Sequence, residues 1–443
     1  MDKQTAYSKP VTLKNILAFA VPTIAMSVFM SFYTMVDGLF VSNLIGTEAL
    51  SAINLTAPVI QLVTAVSTML ATGGSAVIMR KMGEGRPEEA REDFTFLILV
   101  NVAVGLVMCA LGYQVMGPVF GSMGLSEAAA GYCEAYLSRY LLFTVPILLM
   151  NNFTLYMIAS EKAALSLACS VGGGVLNMVL DYVLIAVCRM GIGGAAVATG
   201  LGYSVTAVVG LAVFSRRGSL LYFVRPAFRL RVLGEAAANG CSEMATALVT
   251  GIVTLLFNWT MLRFAGEAGV AAVTIIMYVL MFASSLYTGW SYGVAPMISY
   301  YHGERSTGKL KRTVGLSLRV IGCISLVTAA LSFAATGPLV AVFARPEDPV
   351  FALAATGNRI CTLALLFIGF NIFTSGMFTA LSNGVVSAIL AFSRSFVFML
   401  IAMLSLPALL GIRGVWLATP AAELMALALS AGMFMKYRKR YHY

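Results

Sequence analysis

Charge is what this 443-residue sequence has least of: 29 Lys and Arg and 19 Asp and Glu make up 11% of it. An ordinary soluble domain carries about twice that share. Histidine occurs only twice, at His302 and His442, and the seven cysteines are scattered singly with no CxxC pair. A structural zinc site, a histidine metal cluster and a disulfide scaffold are thereby excluded, and the cysteines read as small apolar packing residues. The one imitation of a phosphate loop, Gly303, Gly308 and Lys309, lacks its Ser or Thr, because Leu310 stands there. What the sequence does have is apolar surface, at 59% of residues and a mean hydropathy of +0.88. Runs of 20 to 30 apolar residues, as between Ile16 and Leu44, suit helices that cross a hydrocarbon slab about 30 Å thick. They do not suit the alternating ten-residue strands of an outer-membrane barrel.

Breaking these runs at charged, Gly-rich or Pro-rich punctuation gives twelve spans, near 14–43, 50–79, 94–117, 132–160, 163–187, 193–215, 232–262, 269–301, 314–343, 352–381, 386–410 and 414–436. The expected fold is therefore an all-α membrane protein. An even count places both termini on one side, and the basic residues choose it. Clusters at Arg80 to Arg91, Arg216 to Arg231, Arg305 to Arg312 and Lys436 to Arg440 share a face with Lys3, Lys9, Lys14 and Lys162, while the opposite loops hold Arg189, Arg263, Arg345 and Arg413. Both termini are expected in the cytoplasm. The net charge of +10 is thus a matter of membrane placement and not of nucleic-acid binding. The first apolar run is too long for a signal-peptide core and is expected to remain as the first span.

Shifting the sequence on itself by 220 residues aligns Gly46 with Gly266, Gly73 with Gly293, Gly83 and Glu84 with Gly303 and Glu304, and Asn151, Phe153, Thr154 and Met157 with Asn371, Phe373, Thr374 and Met377. The same register pairs Gly191, Ile192, Gly194, Ala198 and Thr199 with Gly411, Ile412, Gly414, Ala418 and Thr419. Each copy holds six spans, so the copies enter the membrane in one direction, as parallel repeats related by a pseudo-two-fold along the membrane normal. The expected organisation is an N-lobe over 1–215, a cytoplasmic linker over 216–231 and a C-lobe over 232–443.

A carboxylate within the hydrocarbon region is costly unless it faces a bundle interior, so each intramembrane acid is a functional candidate. Asp37, Asp181 and Thr199 each fall about six residues from the outer end of their spans, a common depth of roughly 9 Å. Asn177 lies one turn from Asp181 on the same helix face, and Asn151 adds an amide nearer the midplane. Two carboxylates in a low-dielectric pocket hold a proton or bind a small cation with nearby amide and hydroxyl oxygens; the alternative is helix bridging by hydrogen bonds alone. At the shifted positions stand Phe257, Val397 and Ile401, so only the first half carries the acids. Glu243 and Glu423 are further intramembrane acids, either of which Arg394 can neutralise. Tyr278, Phe282 and Trp290 in the eighth span can hold flat lipophilic cations by stacking, or serve ordinary packing. Pro22 permits a bend ahead of Asp37 and is a hinge candidate. Gly172, Gly173 and Gly174 allow close helix approach.

The segment from Pro22 to Asp37 leading into MVDGLFVSNLIGTEAL, the Arg80–Gly83 loop, NMVLDYVLI with Asn177 and Asp181, and GIGGAAVAT ending at Thr199 together resemble the multidrug and toxic compound extrusion (MATE) family of antiporters. The resemblance covers nearly the whole sequence. It implies twelve helices in two lobes that export lipophilic, often cationic compounds in exchange for H⁺ or Na⁺. No cofactor and no enzymatic activity are implied. The family's first-lobe cation site carries over onto Asp37, Asn177, Asp181 and Thr199, with Asn151 nearby. A second-lobe acid midway along span seven is lacking: Gly251 stands there, and Glu243 lies a little over two turns earlier. The expected setting is the plasma or inner membrane, the expected partners are drug-like small molecules and the bilayer, and the expected state is a monomer. The competing reading is a lipid-linked oligosaccharide flippase, which needs an arginine-lined cavity for phosphates, with Arg394 and Arg319 as the available residues.

Overall fold

The computed structural model describes residues 6–36, 55–121, 126–127 and 129–443 with their side chains, and 37–44, 47–54, 122 and 128 as helical backbone only. The Asp37 side chain, Gly46 and Lys3 thus lie outside the described residues. Regular structure among the described residues is helical throughout. In chain order the helices are α1 (Leu13–Leu44), α2 (Thr47–Gly83), α3 (Pro87–Ser122), α4 (Glu127–Leu142), α5 (Thr144–Ala159), α6 (Ala163–Asp181), α7 (Ile192–Phe214) and α8 (Leu230–Gly303). Then follow α9 (Thr307–Ala334), α10 (Thr336–Ala341), α11 (Pro349–Cys361), α12 (Leu365–Ala380), α13 (Gly384–Phe392), α14 (Phe398–Leu410) and α15 (Ile412–Tyr441). Ten helical stretches among the described residues are long and apolar enough to cross a membrane, and eleven if a bent pair counts as one span.

The bent pair is α4 and α5, which meet at 54°. The sequence predicts one span over 132–160, but Phe143 breaks it: its N–H reaches Tyr140, the Thr144 hydroxyl donates to Leu141 O at 2.7 Å, and Pro146 fits the first turn of α5, where no helix donor is needed. At α8 the expected break between 262 and 269 is present: two helices meet at a kink there, at Gly266 with φ 61° and ψ −151°. Gly191 (φ 59°, ψ −147°) and Gly411 (φ 59°, ψ −137°), matched to each other by the register of 220, adopt this same glycine-favouring conformation where they open α7 and α15.

Two compact units emerge. Residues 29–240 form one; 1–28 together with 241–443 form the other, so α1 and α8 each change partners part way along. Small residues make both exchanges possible. In the first unit Gly73 of α2 packs on the backbone of Ala236 and Gly240 in α8, while Gly240 packs on Met69. In the second unit Gly289 and Gly293 of α8 pack on Ala20, Thr23 and Ile24 of α1. A Cβ on Gly73 or Gly240 meets backbone and not a yielding side chain. Gly73→Ala and Gly240→Ala are each expected to lower stability by about 1–3 kcal/mol. Thermal unfolding of the purified variants in detergent checks this, and unchanged midpoints would refute the seam.

The linker read from the sequence is not a free tether. Leu221 is fully buried, Phe223 N–H donates to Phe214 O at 2.8 Å, and its ring stacks on Phe94 at 5.3 Å. Arg229 pairs with Glu92 at 2.8 Å and with buried Asp93 at 3.3 Å, and Asp93 also pairs with Lys81. Arg80 holds Glu235 at 2.8 Å, which fastens the start of α8 to the end of α2. The cysteines depart from the packing expectation at two places, since Cys188 and Cys323 are exposed while Cys133, Cys169 and Cys361 are buried.

Candidate functional site

In the unit formed by residues 29–240, α6 and α7 cross at a pair of glycines. A Cβ on Gly173 would lie 2.5 Å from Gly202 O, and one on Gly202 would lie 2.8 Å from Gly173 O and 2.9 Å from Asn177 Cβ. No larger residue fits on either side of this crossing. Gly174 receives Phe29 in the same way, whereas Gly172 faces open space and plays no such part.

The close approach brings together residues 22 positions apart. Asn177 Nδ2 donates to Thr199 Oγ1 at 3.3 Å, and both side chains are buried. Asp181, one turn beyond Asn177, is 0% exposed. Asn177 Oδ1 is buried with no hydrogen-bond partner among the described residues. A buried amide oxygen without a donor is an exception in folded proteins and suits a cation ligand. Directly after Asp181 the helix widens into a π-helical stretch, Tyr182–Val187. Such bulges are frequent at functional sites because they re-aim side chains and free backbone oxygens.

Beside the glycine crossing lies a cavity of about 10 Å³, lined among others by Tyr33, Ser170, Gly174, Tyr203 and Thr206. It has room for about one water molecule. Asn151, read from the sequence as part of the cluster, turns its amide to Ile147 O at 3.4 Å on its own helix. Its neighbour Asn152, which the sequence pattern does not mark, is fully buried and exchanges two hydrogen bonds with Asn101 of α3, at 3.2 and 2.8 Å. The available signal was Asn101 itself, an amide interrupting the third apolar run.

In the other unit Arg394 has chosen between the two acids. Its Nε donates to Glu423 Oε1 at 2.8 Å, while Asn371 Nδ2 donates to Glu423 Oε2 at 2.8 Å and Ser430 donates to Asn371 Oδ1 at 3.0 Å. Glu243 is half-buried, and no ion pair joins it to Arg394 among the described residues. Arg394 also sits in a π-helical turn, Ser393–Val397. The register of 220 places Gly174 and Tyr203, two walls of the small cavity, where Arg394 and Glu423 form their pair. One half thus fills with an ion pair the position that the other half leaves open.

The aromatic candidates of α8 do not converge. Trp290 is fully buried, whereas Tyr278, twelve residues away and so about 18 Å along the axis, stacks on Phe343 at 5.8 Å. Phe282 is half-buried between them. Pro22 lies inside α1, and Thr23, beside it, caps Ala20 O at 2.9 Å against the glycines of α8.

A single family model, MatE, matches the chain twice, over residues 22–183 and 244–404, close to the register of 220. The multidrug export protein MepA of Staphylococcus haemolyticus is 23% identical over 443 residues, covering 99% of this chain and 96% of that protein. MepA of Staphylococcus aureus strain MSSA476 is 22% identical over 436 residues, covering 96% and 95%. Among solved structures, a Vibrio cholerae MATE transporter superposes with a TM-score of 0.90 at 19% identity, covering 96% of this chain and 97% of that one. A MATE protein in complex with MaL6 gives 0.88 at 24%, covering 96% and 95%. The chain belongs to the multidrug and toxic compound extrusion (MATE) family, a family of transporters and not of enzymes.

Proposed function

We propose that the protein exports lipophilic, often cationic compounds from the cell in exchange for H⁺ or Na⁺, alternating between states open to either side of the membrane. One observation carries the reading: buried Asp181 beside the Asn177–Thr199 pair, with Asn177 Oδ1 left to accept. Asp37, which shares the depth of Asp181 by sequence, joins this cation site, with Asn151 at its edge. A site of two carboxylates and neutral oxygens takes either ion, because protonation and a small hard cation relieve the same repulsion. Cation entry from outside favours release of the compound outward, and coupling requires only that the two states differ in affinity.

With the helical stretch of α8 divided at Gly266 and α4–α5 counted as one, the spans number twelve, in lobes over 1–215 and 232–443 joined by 216–231. The two family-model matches and the shared conformation of Gly191 and Gly411 support parallel repeats. The basic faces support cytoplasmic termini. The change of partners of α1 between Val28 and Phe29, shortly after Pro22, supports a hinge there. Glu243, Tyr278, Phe282 and Trp290 are proposed to meet substrate at successive depths, not as one cluster. The flippase reading loses Arg394, which is engaged by Glu423.

Ethidium efflux from vesicles under separately imposed proton and sodium gradients tests the proposal. Transport driven by either gradient supports it, and equal efflux with no gradient and no uphill accumulation would refute antiport.

A further inference from the structure

A second cavity lies away from this site, at the basic ends of α9 and α15. It has a volume of about 570 Å³, in the range of small-ligand pockets. Lys311, Arg312 and Arg319 of α9 and Arg438 of α15 line it, and all four are exposed. Lys311, Gly315 and Arg319 follow at i, i+4 and i+8, so they stand on one helix face over about 12 Å. Gly315 leaves the middle of that face open, since a Cβ there would meet nothing within 4 Å. Lys309 nearby is paired with Glu304 at 3.0 Å, but none of the four lining bases has a carboxylate at ion-pair distance among the described residues. Apolar side chains complete the cavity: Leu318 and Phe434, the latter held by Tyr443, whose ring lies 4.7 Å away and whose hydroxyl donates to Phe434 O at 3.0 Å.

We infer that this cavity binds the phosphate headgroup of an anionic phospholipid, with Arg319 and Arg438 on the phosphate and an acyl chain along Leu318 and Phe434. Four unneutralised bases in one concave place call for an anion, and guanidinium groups match phosphate oxygens in pairs. The apolar wall distinguishes a lipid from a soluble phosphate, which has nothing to lay against Phe434. Arg319 lies twelve residues inside α9, about 18 Å from its start at Thr307, so the ligand must reach into the membrane-spanning part of the helix. Basic pockets between membrane helices take lipid headgroups by this combination of charge and apolar border. The inference rests on the cytoplasmic orientation proposed above only in assigning the lipid to the inner leaflet.

Native mass spectrometry of the full-length protein in detergent, with phosphatidylglycerol or phosphatidylcholine added at equal concentration, tests it independently of orientation and of transport. Phosphatidylglycerol should be retained preferentially, and Arg319→Gln with Arg438→Gln should weaken its retention about 25-fold, roughly fivefold per charge, without altering phosphatidylcholine. Gly315→Leu keeps every charge but fills the groove, and should weaken phosphatidylglycerol retention with an unchanged melting temperature in lipid-free detergent. Equal retention of the two lipids, or wild-type retention in either variant, would overturn the site. Displacement of the lipid by millimolar inorganic phosphate would overturn the lipid as its ligand in favour of a soluble anion.

Discussion

Asp181→Asn is expected to abolish gradient-driven ethidium efflux, a loss of about two orders of magnitude, while membrane abundance stays at the wild-type level. The asparagine matches the aspartate in size, so the packing of α6 against α7 persists, but it carries no charge to lose a proton or attract Na⁺. Asn177→Leu should act in the same direction and less completely, because it removes a neutral ligand and the Thr199 contact together. Thr199→Val should be milder still. Efflux at the wild-type rate in Asp181→Asn would refute the cation role. A fall in abundance to match the fall in efflux would instead assign Asp181 to helix bridging.

Arg394→Leu is expected to destabilise the protein by about 3 kcal/mol, the lower end for a broken buried pair because the Arg394 side chain is 21% exposed. What remains is a nearly buried Glu423 whose other side-chain partner, Asn371, satisfies one carboxylate oxygen only, while Ser430 donates to Asn371. Replacing both members, Arg394→Leu with Glu423→Leu, should recover most of the loss, since the desolvation cost of both charges vanishes with them. Thermal unfolding in detergent of the two single variants and the double variant gives the answer. A double variant no more stable than the worse single one would contradict a paired structural role and would point to a separate task for Glu423. Glu243→Gln, by contrast, should leave stability nearly unchanged, because that carboxylate has no hydrogen bond or ion pair among the described residues and Arg394 is already engaged.

Several of these features were legible in the residues. Equal depths of Asp181 and Thr199, counted in residues from the span ends, anticipated that α6 and α7 would bring their neighbours together, and the glycines at 173 and 174 anticipated how closely. The 220-residue register anticipated that Gly191 and Gly411 would share a conformation. Other features left no trace in composition. A π-helical turn changes the hydrogen-bond partner by one residue without demanding a particular side chain, so neither the one after Asp181 nor the one at Arg394 could be read. The choice of Glu423 over Glu243 by Arg394 depends on helix rotation, which spacing along one helix cannot supply. Over 216–231 the sequence shows chiefly five arginines, and it does not reveal that Leu221 and Phe223 find an apolar seat and Arg229 a buried acid. Asn152 carried no signal in the duplicated register, because Ile372 stands at its shifted position while Asn151 meets Asn371.

The most direct measurement is of the cation exchanged when a compound binds. Tetraphenylphosphonium is added to purified protein in weakly buffered detergent solution while pH and sodium electrodes record what is released, for the wild type and for Asp181→Asn. The expected result is release of about one cation per bound compound from the wild type and close to none from the variant, at comparable compound binding. Equal release from both would mean that the exchanged cation is held elsewhere, and the cation site assigned to α6 and α7 would be contradicted.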